Sequence, residues 1–199
     1  MANTSRVNGL RPIKYLNGTE YNGQANMYFI PSGDATAVFV GDLVKADGTG
    51  DTVAAGGNAL GIQSVIQAAA TNAVLGVVVG FAIAPTNLNT PQYRVASTGR
   101  YVYVSDDPNV LYEIQTSNGT LAVADVGLNA NIAVAAGSTT TGASGMTLDV
   151  GTATTTATLP LKIMGFTQRP DNDNTAANSK VIVKLNNDQF GASTGTAGV

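Results

Sequence analysis

Apolar residues fall in short clusters, set between turn formers, along nearly the whole chain. Met27-Tyr28-Phe29-Ile30 runs into Pro31-Ser32-Gly33-Asp34. Ala37-Val38-Phe39-Val40 reaches Gly41-Asp42, and Leu43-Val44-Lys45-Ala46 reaches Asp47-Gly48. Leu60 to Ile66 follows, then Val74 to Phe81, a β-branched run whose continuous apolarity predicts a strand buried on both faces. Arg100 to Val104 and Leu111 to Gln115 alternate apolar with polar, the strand period, and the second ends at Asn118-Gly119, a hairpin signal. Leu121 to Val126 fits a short strand or a helical turn. Asn131 to Ala135 leads into Gly137 to Gly142, which reads as a flexible low-complexity loop. Met146 to Val150, Leu161 to Phe166 and Val181 to Leu185 are further strands, the last two split by a loop over 169–179. No stretch carries a long helical period. No strict repeat is visible beyond an echo between Leu60-Gly61-Ile62 and Leu75-Gly76-Val77. This spacing predicts an all-β fold, a barrel or sandwich of short antiparallel strands.

The ends read differently. Residues 1–25 mix Asn, Gly and bases with isolated apolar side chains, Val7, Leu10, Ile13, Tyr15, Leu16 and Tyr21. They predict an extended arm whose anchors need a groove, either on its own domain or on a neighbour. Residues 26–188 form the β-rich body, readable as a small barrel with an insertion. Residues 189–199 read as a frayed tail.

Charged residues make up 12% of the chain against 44% hydrophobic. Soluble domains ordinarily carry about 25% charged residues. The surface is therefore rich in Thr, Asn, Ser, Ala and Gly, which lose little on desolvation and favour contact with other proteins. Arg6, Arg11 and Lys14 give the first 14 residues a charge of +3, while the remainder sums to −6. A basic leader on an acidic body suits docking onto an acidic protein surface, or is a solvated terminus. Three charges hold nucleic acid only weakly. The absence of Cys and His removes thiolate chemistry, the commonest catalytic base and the commonest transition-metal ligand. The longest apolar run, Ala73 to Ala84, is 12 residues with two glycines. A membrane helix needs about 20. These features read as a soluble chain made in a cytoplasm.

Each chemical motif fails on a particular residue. Gly137 to Ser144 nearly fits a phosphate loop but has Ala143 where the lysine belongs. Asp171-Asn172-Asp173-Asn174 opens like a calcium loop but carries Ala176 and Ile182 at the positions needing Gly and Glu. Asp106-Asp107 is a carboxylate pair on a strand end, where neighbours point to opposite faces. Tyr101 and Tyr103 share a strand face, suited to core packing or to stacking a base or sugar. No catalytic, cofactor-binding or metal residue is assigned, and no cofactor is expected.

The segments Asn8-Gly9-Leu10-Arg11-Pro12-Ile13-Lys14-Tyr15-Leu16-Asn17-Gly18, Tyr21-Asn22-Gly23-Gln24-Ala25, Phe39-Val40-Gly41-Asp42-Leu43-Val44, Leu75 to Phe81, Asp106-Asp107-Pro108 and Val183-Lys184-Leu185-Asn186-Asn187 resemble tailed-phage head decoration, or cement, proteins. The resemblance also takes in Gly137-Ser138 with Thr141 to Gly145. It implies a non-enzymatic virion component on the capsid exterior. Its partners would be the major capsid protein and copies of itself, as dimer or trimer at local symmetry axes. The short apolar runs and the three leader charges likewise argue against a membrane partner and against direct nucleic-acid binding. The leader residues Arg6, Leu10, Arg11, Ile13, Lys14, Tyr15 and Tyr21 are the expected contacts, by charge pairing and anchoring. A tail-tube or head-fibre component and a carbohydrate-binding module are the alternatives.

Overall fold

A computed structural model describes residues 3–51, 60–84, 87–191 and 195–198. The fold is all-β. Eleven strands follow in chain order: β1 (Arg11–Tyr15), β2 (Asn26–Ile30), β3 (Leu43–Gly50), β4 (Gln63–Gln67), β5 (Gly76–Phe81), β6 (Arg100–Ser105), β7 (Val110–Ser117), β8 (Asn129–Ala133), β9 (Thr147–Thr154), β10 (Leu161–Phe166) and β11 (Lys180–Leu185). The single helical element among the described residues is a 3-10 turn at Val123–Asp125.

Five strands close a barrel in the order β2-β4-β3-β5-β6. The other six form a sheet, β1-β7-β11-β10-β8-β9, in which β9 also pairs with β7. That additional pairing closes β7-β9-β8-β10-β11 into a second ring, with β1 attached outside it.

The two rings have the same topology. Matching β2 through β6 to β7 through β11 in order reproduces every neighbour. The closing pair is parallel in both, β2 with β4 and β7 with β9. The other four pairs are antiparallel in both. The register also agrees where β3 meets β5 and β8 meets β10. Leu43 and Val44 face Val77 and Gly76, as Asn129 and Ala130 face Lys162 and Leu161. A bulge recurs as well: the ladder skips Val79 between Val78 and Gly80, and Met164 between Ile163 and Gly165. Both bulges end in Gly-Phe, Gly80-Phe81 and Gly165-Phe166.

The apolar run through β5 is buried on both faces, as its composition predicted. Val78 points into the first barrel with Tyr28, Ile30, Val44, Val65, Val102 and Val104. Val77 points outward with Leu43, Ala68 and Val74 and joins the interior of the second ring, including Tyr112, Ile132, Leu148, Ile163 and Val183. One outer face of the first barrel is thus continuous with the core of the second. Tyr112 Oη lies 3.0 Å from Ser105 Oγ at this junction.

Several expectations are corrected. Ala37 to Val40 forms only isolated bridges, Val38 to Arg94 and Val40 to Ala143. Asn118-Gly119 makes no hairpin, because β7 pairs with β1, β11 and β9 rather than with β8. The loop at 137–144 is a strut between the barrels. Val40 N–H donates to Gly142 O at 3.0 Å and Ser144 N–H to Val40 O at 2.8 Å. Small residues allow this: a Cβ on Gly137 would lie 2.3 Å from the Phe39 ring.

The leader finds its groove on its own domain. β1 adds to the edge of β7, and Leu10, 2% exposed, sits in the core. At the other end, the Asn186 carboxamide accepts hydrogen bonds from Thr196 N–H and Oγ1, both at 3.0 Å. Asn129 donates to Thr196 O at 2.7 Å and Lys162 to Ala197 O at 2.9 Å. So 195–198 is a strap over the second barrel rather than a free end. The parts of the expected arm and tail at 1–2, 192–194 and 199 lie outside the described residues.

Candidate docking surface

The sequence-predicted contacts divide by burial. Leu10 is enclosed by its own fold and cannot reach a partner, which corrects its assignment. Tyr15 and Tyr21 pack against the core with ring centroids 6.0 Å apart. Their hydroxyls are engaged too: Tyr21 donates to Gln24 O at 2.7 Å, and Tyr15 reaches Asn22 and Gln24 at 3.2 Å. Ile13 is half-buried on β1. Arg6 and Arg11 are exposed and Lys14 half-exposed. The ion pairs among the described residues are Arg94–Asp34, Arg169–Glu113 and Arg169–Asp171, so these three leader cations stay outside them.

Leader and barrel meet at a groove of about 570 Å³. Arg11, Pro12 and Tyr21 line one wall, and Val40, Val79 and Ala143 the other. The leader crosses the barrel at Gly41, where Leu10 N–H donates to Gly41 O at 2.9 Å. Only glycine fits that crossing. Gly41 has φ 95°, and a Cβ there would sit 2.5 Å from Asn8 O.

Val40 and Val79 form the ridge between this groove and a second one of about 450 Å³, which runs past Phe81, Ile83, Leu88 and Pro91. Ile83 and Leu88 are 76% and 79% exposed. They extend the ridge into a larger apolar surface than scattered single residues give. The wall behind is rigid. Arg100 lies 4.9 Å over the Phe81 ring and donates to Pro91 O and Tyr93 O, both at 2.7 Å. Arg94, fully buried, ties the neighbouring loops through Thr98 O and Pro31 O at 2.7 Å and through Thr36 O. Burial pushes both guanidinium pKa values down, with the Asp34 charge opposing this at Arg94.

Sequence alone hides Val79, because an unbroken apolar run carries no mark of which of its residues a bulge turns outward. The available signal was its overrun: Ile83 lies beyond the end of β5 yet remains large and apolar.

The other candidates have structural roles. Asp106 accepts from Tyr28 Oη at 2.5 Å and from Asn26, and burial and this hydrogen bond together raise the Tyr28 pKa well above its usual value. Asp107 caps Asn109 N–H at 2.8 Å. Asn172 knits its loop to Thr167 and Lys180, and Asp173 binds Thr175, so the 171–174 stretch is an Asx-type turn. No metal-binding group of His, Cys, Asp and Glu occurs among the described residues. Tyr101 is tied to Asp51 at 2.7 Å and packs on Phe29, while Tyr103 is 41% exposed.

At the junction, Asp42 is fully buried. Its Oδ2 accepts from Phe39 N–H at 2.9 Å and Gln67 Nε2 at 2.8 Å, and the Ser144 hydroxyl adds a further donor to the carboxylate. Burial raises its pKa above the usual 3.8.

These arrangements offer adhesion: an apolar ridge, flanking grooves and the exposed Arg11 on one groove wall. Comparison with protein-family models, curated proteins and solved structures returns no match to any.

Proposed function

We propose that this chain is a virion structural protein that binds the outer surface of a phage capsid and cements neighbouring major capsid subunits. The observation that carries the reading is the apolar Val40–Val79–Ile83–Leu88 ridge, supported from behind by a braced wall and flanked by Arg11 of the leader. Apolar side chains held on a rigid support lose little entropy on binding. Arg6, Arg11 and Lys14 add attraction to an acidic surface and speed encounter. Copies of the chain around a local symmetry axis would add their contacts together, so modest single affinities suffice. The sequence resemblance points the same way.

The test is direct. Shells of major capsid protein lacking the chain are incubated with purified protein, sedimented and imaged by cryo-electron microscopy. Added density on the outer surface, between subunits, is the expected result. Failure to co-sediment, or density confined to the shell interior or a tail, overturns the reading.

A further inference from the structure

Four Asn-Gly pairs lie along the chain: Asn8-Gly9, Asn17-Gly18, Asn22-Gly23 and Asn118-Gly119. In this dipeptide the following backbone nitrogen reaches the Asn side-chain carbonyl carbon with least hindrance, because glycine has no Cβ. With glycine following in each, the local sequence rates the four alike. The fold separates them.

Gly9 is buried, and a Cβ there would sit 2.5 Å from both Gly41 O and Ser144 Cβ, so its peptide has no room to swing toward the Asn8 side chain. The Gly18 N–H is donated to Tyr15 O at 2.9 Å, which holds that nitrogen away from attack. Asn118 has left-handed backbone, φ 57°, and its Nδ2 donates to Asp149 Oδ1 at 3.1 Å. That carboxylate opposes the amide anion that must form beside it.

Asn22-Gly23 has none of these restraints. Both residues are exposed, Asn22 lies outside the left-handed region, and the Gly23 N–H makes no hydrogen bond among the described residues. A Cβ on Gly23 would meet nothing within 4 Å, so the peptide is free to turn. The side chain is already folded back over that peptide, because Asn22 Oδ1 accepts from Gln24 N–H at 3.4 Å. Tyr15 Oη, 3.2 Å away, shares its proton between this oxygen and Gln24 Oε1. Both donors face the oxygen that turns anionic when the carbonyl carbon is attacked.

We propose that Asn22 is a self-modification site, converted by its own backbone to aspartate and isoaspartate. The Gly23 nitrogen gives up its proton to solvent and attacks Asn22 Cγ. The new N–Cγ bond closes a succinimide, the Cγ–Nδ2 bond breaks, and ammonia leaves with a proton returned by solvent. Water then opens the ring. Cleavage at Cγ gives aspartate, and cleavage at the Asn22 main-chain carbonyl gives isoaspartate. Loss of ammonia makes the change one-way. Each converted molecule gains a negative charge, and isoaspartate adds one main-chain carbon where the leader joins β2. The site lies in the groove wall that also holds Arg11 and Tyr21, so ageing alters the leader whatever it docks on.

The purified full chain, incubated in warm neutral buffer made with heavy-oxygen water, tests this by peptide mapping. The maps read the oxygen label and separate aspartate from isoaspartate at each of the four sites. Asn22 is expected to convert first, with the other three slower by about tenfold or more because local opening must free them. In urea, where all four pairs are released, the four rates should converge. Tyr15→Phe keeps the ring against Tyr21 and removes the hydroxyl donor. It should slow Asn22 by about three- to tenfold, less than in an enclosed oxyanion hole because water replaces part of the donor. Asn118 should keep its rate. Matched melting curves establish that the variant folds, and where it does not, the ranking in the folded native chain against urea decides. Conversion at Asn8, Asn17 or Asn118 as fast as at Asn22 in the folded chain overturns the inference. So does an Asn22 rate that a folded Tyr15→Phe leaves unchanged.

Discussion

The two barrels share one topology and one bulged corner, yet their outer faces are opposites. In the first, the outward residues of β3 and β5, Leu43 and Val77, are fully buried and continue into the second barrel's core. In the second, the same positions hold Asn129 and Lys162, covered by the 195–198 strap through hydrogen bonds. The inward pattern makes a ring. What lies against the ring decides the chemistry outside it. A barrel docked on another needs apolar cover, whereas one closed by a thin strap of backbone carbonyls needs donors aimed at them.

Exchanging those faces is the strongest way to break the comparison. Val77→Lys forces an ammonium into the junction and should cost about 3 kcal/mol or more, whereas Lys162→Val at the matching site should cost about 1 kcal/mol or less. Urea midpoints of the two variants check this, and equal effects would refute the asymmetry.

The leader comes next. Its strand β1 joins the second ring alone, and Leu10→Ala should lose about 2–4 kcal/mol as a truncation of that ring's core. Stability unchanged within about 0.5 kcal/mol would mean the leader is only laid on the surface.

Gly41 and Gly127, with φ 95° and 98°, donate to Val78 O and Ile163 O at matching points of the two rings and give a smaller contrast. Gly41→Ala and Gly127→Ala both enforce left-handed backbone on a side chain, at about 1–2 kcal/mol each. Gly41→Ala should be the worse, because its Cβ also meets Asn8 O. Thermal melting of the two variants ranks them.

The smallest effect concerns charge at the shared corner, where Asp42 faces the junction and the second barrel has Leu128. The folded pKa of Asp42 is raised, so its neutral form suits the fold better than its carboxylate. Stability from this group is fully present below the usual value of 3.8 and is lost as pH rises through the raised folded value. Asp42→Asn keeps an oxygen for Phe39 and Gln67 and removes that loss. The difference in urea midpoint between variant and native chain should therefore grow in the variant's favour from pH 3 to pH 7. A flat difference would show that the buried carboxylate is well compensated.

Strand positions and the all-β class were legible because a strand's two-residue period and its flanking turns are local. The double burial of β5 was legible in its unbroken apolar run. Local signals stop short of pairing. Asn118-Gly119 carries hairpin chemistry, yet β7 finds its partners far along the chain. The shared topology of the two rings was hidden for a related reason. A barrel interior asks for apolar volume at alternate positions, so Val78 and Ile163, or Val104 and Val183, serve equally and leave little identity to align. The leader's basic and apolar spacing was visible, but not that Leu10 would be enclosed by its own fold and Arg11 left free.

By itself, then, the sequence determined short strands, an uncharged surface and a chain without Cys or His. These follow from residue chemistry and nearest neighbours. Tertiary structure decided that the strands close twice into the same ring, that one ring's outer face continues into the other's core, and that Val79 and Met164 face outward at matching corners. Those outcomes depend on which distant backbone groups find each other, and hydrogen-bond pairing across long separations leaves no mark on any single stretch of residues.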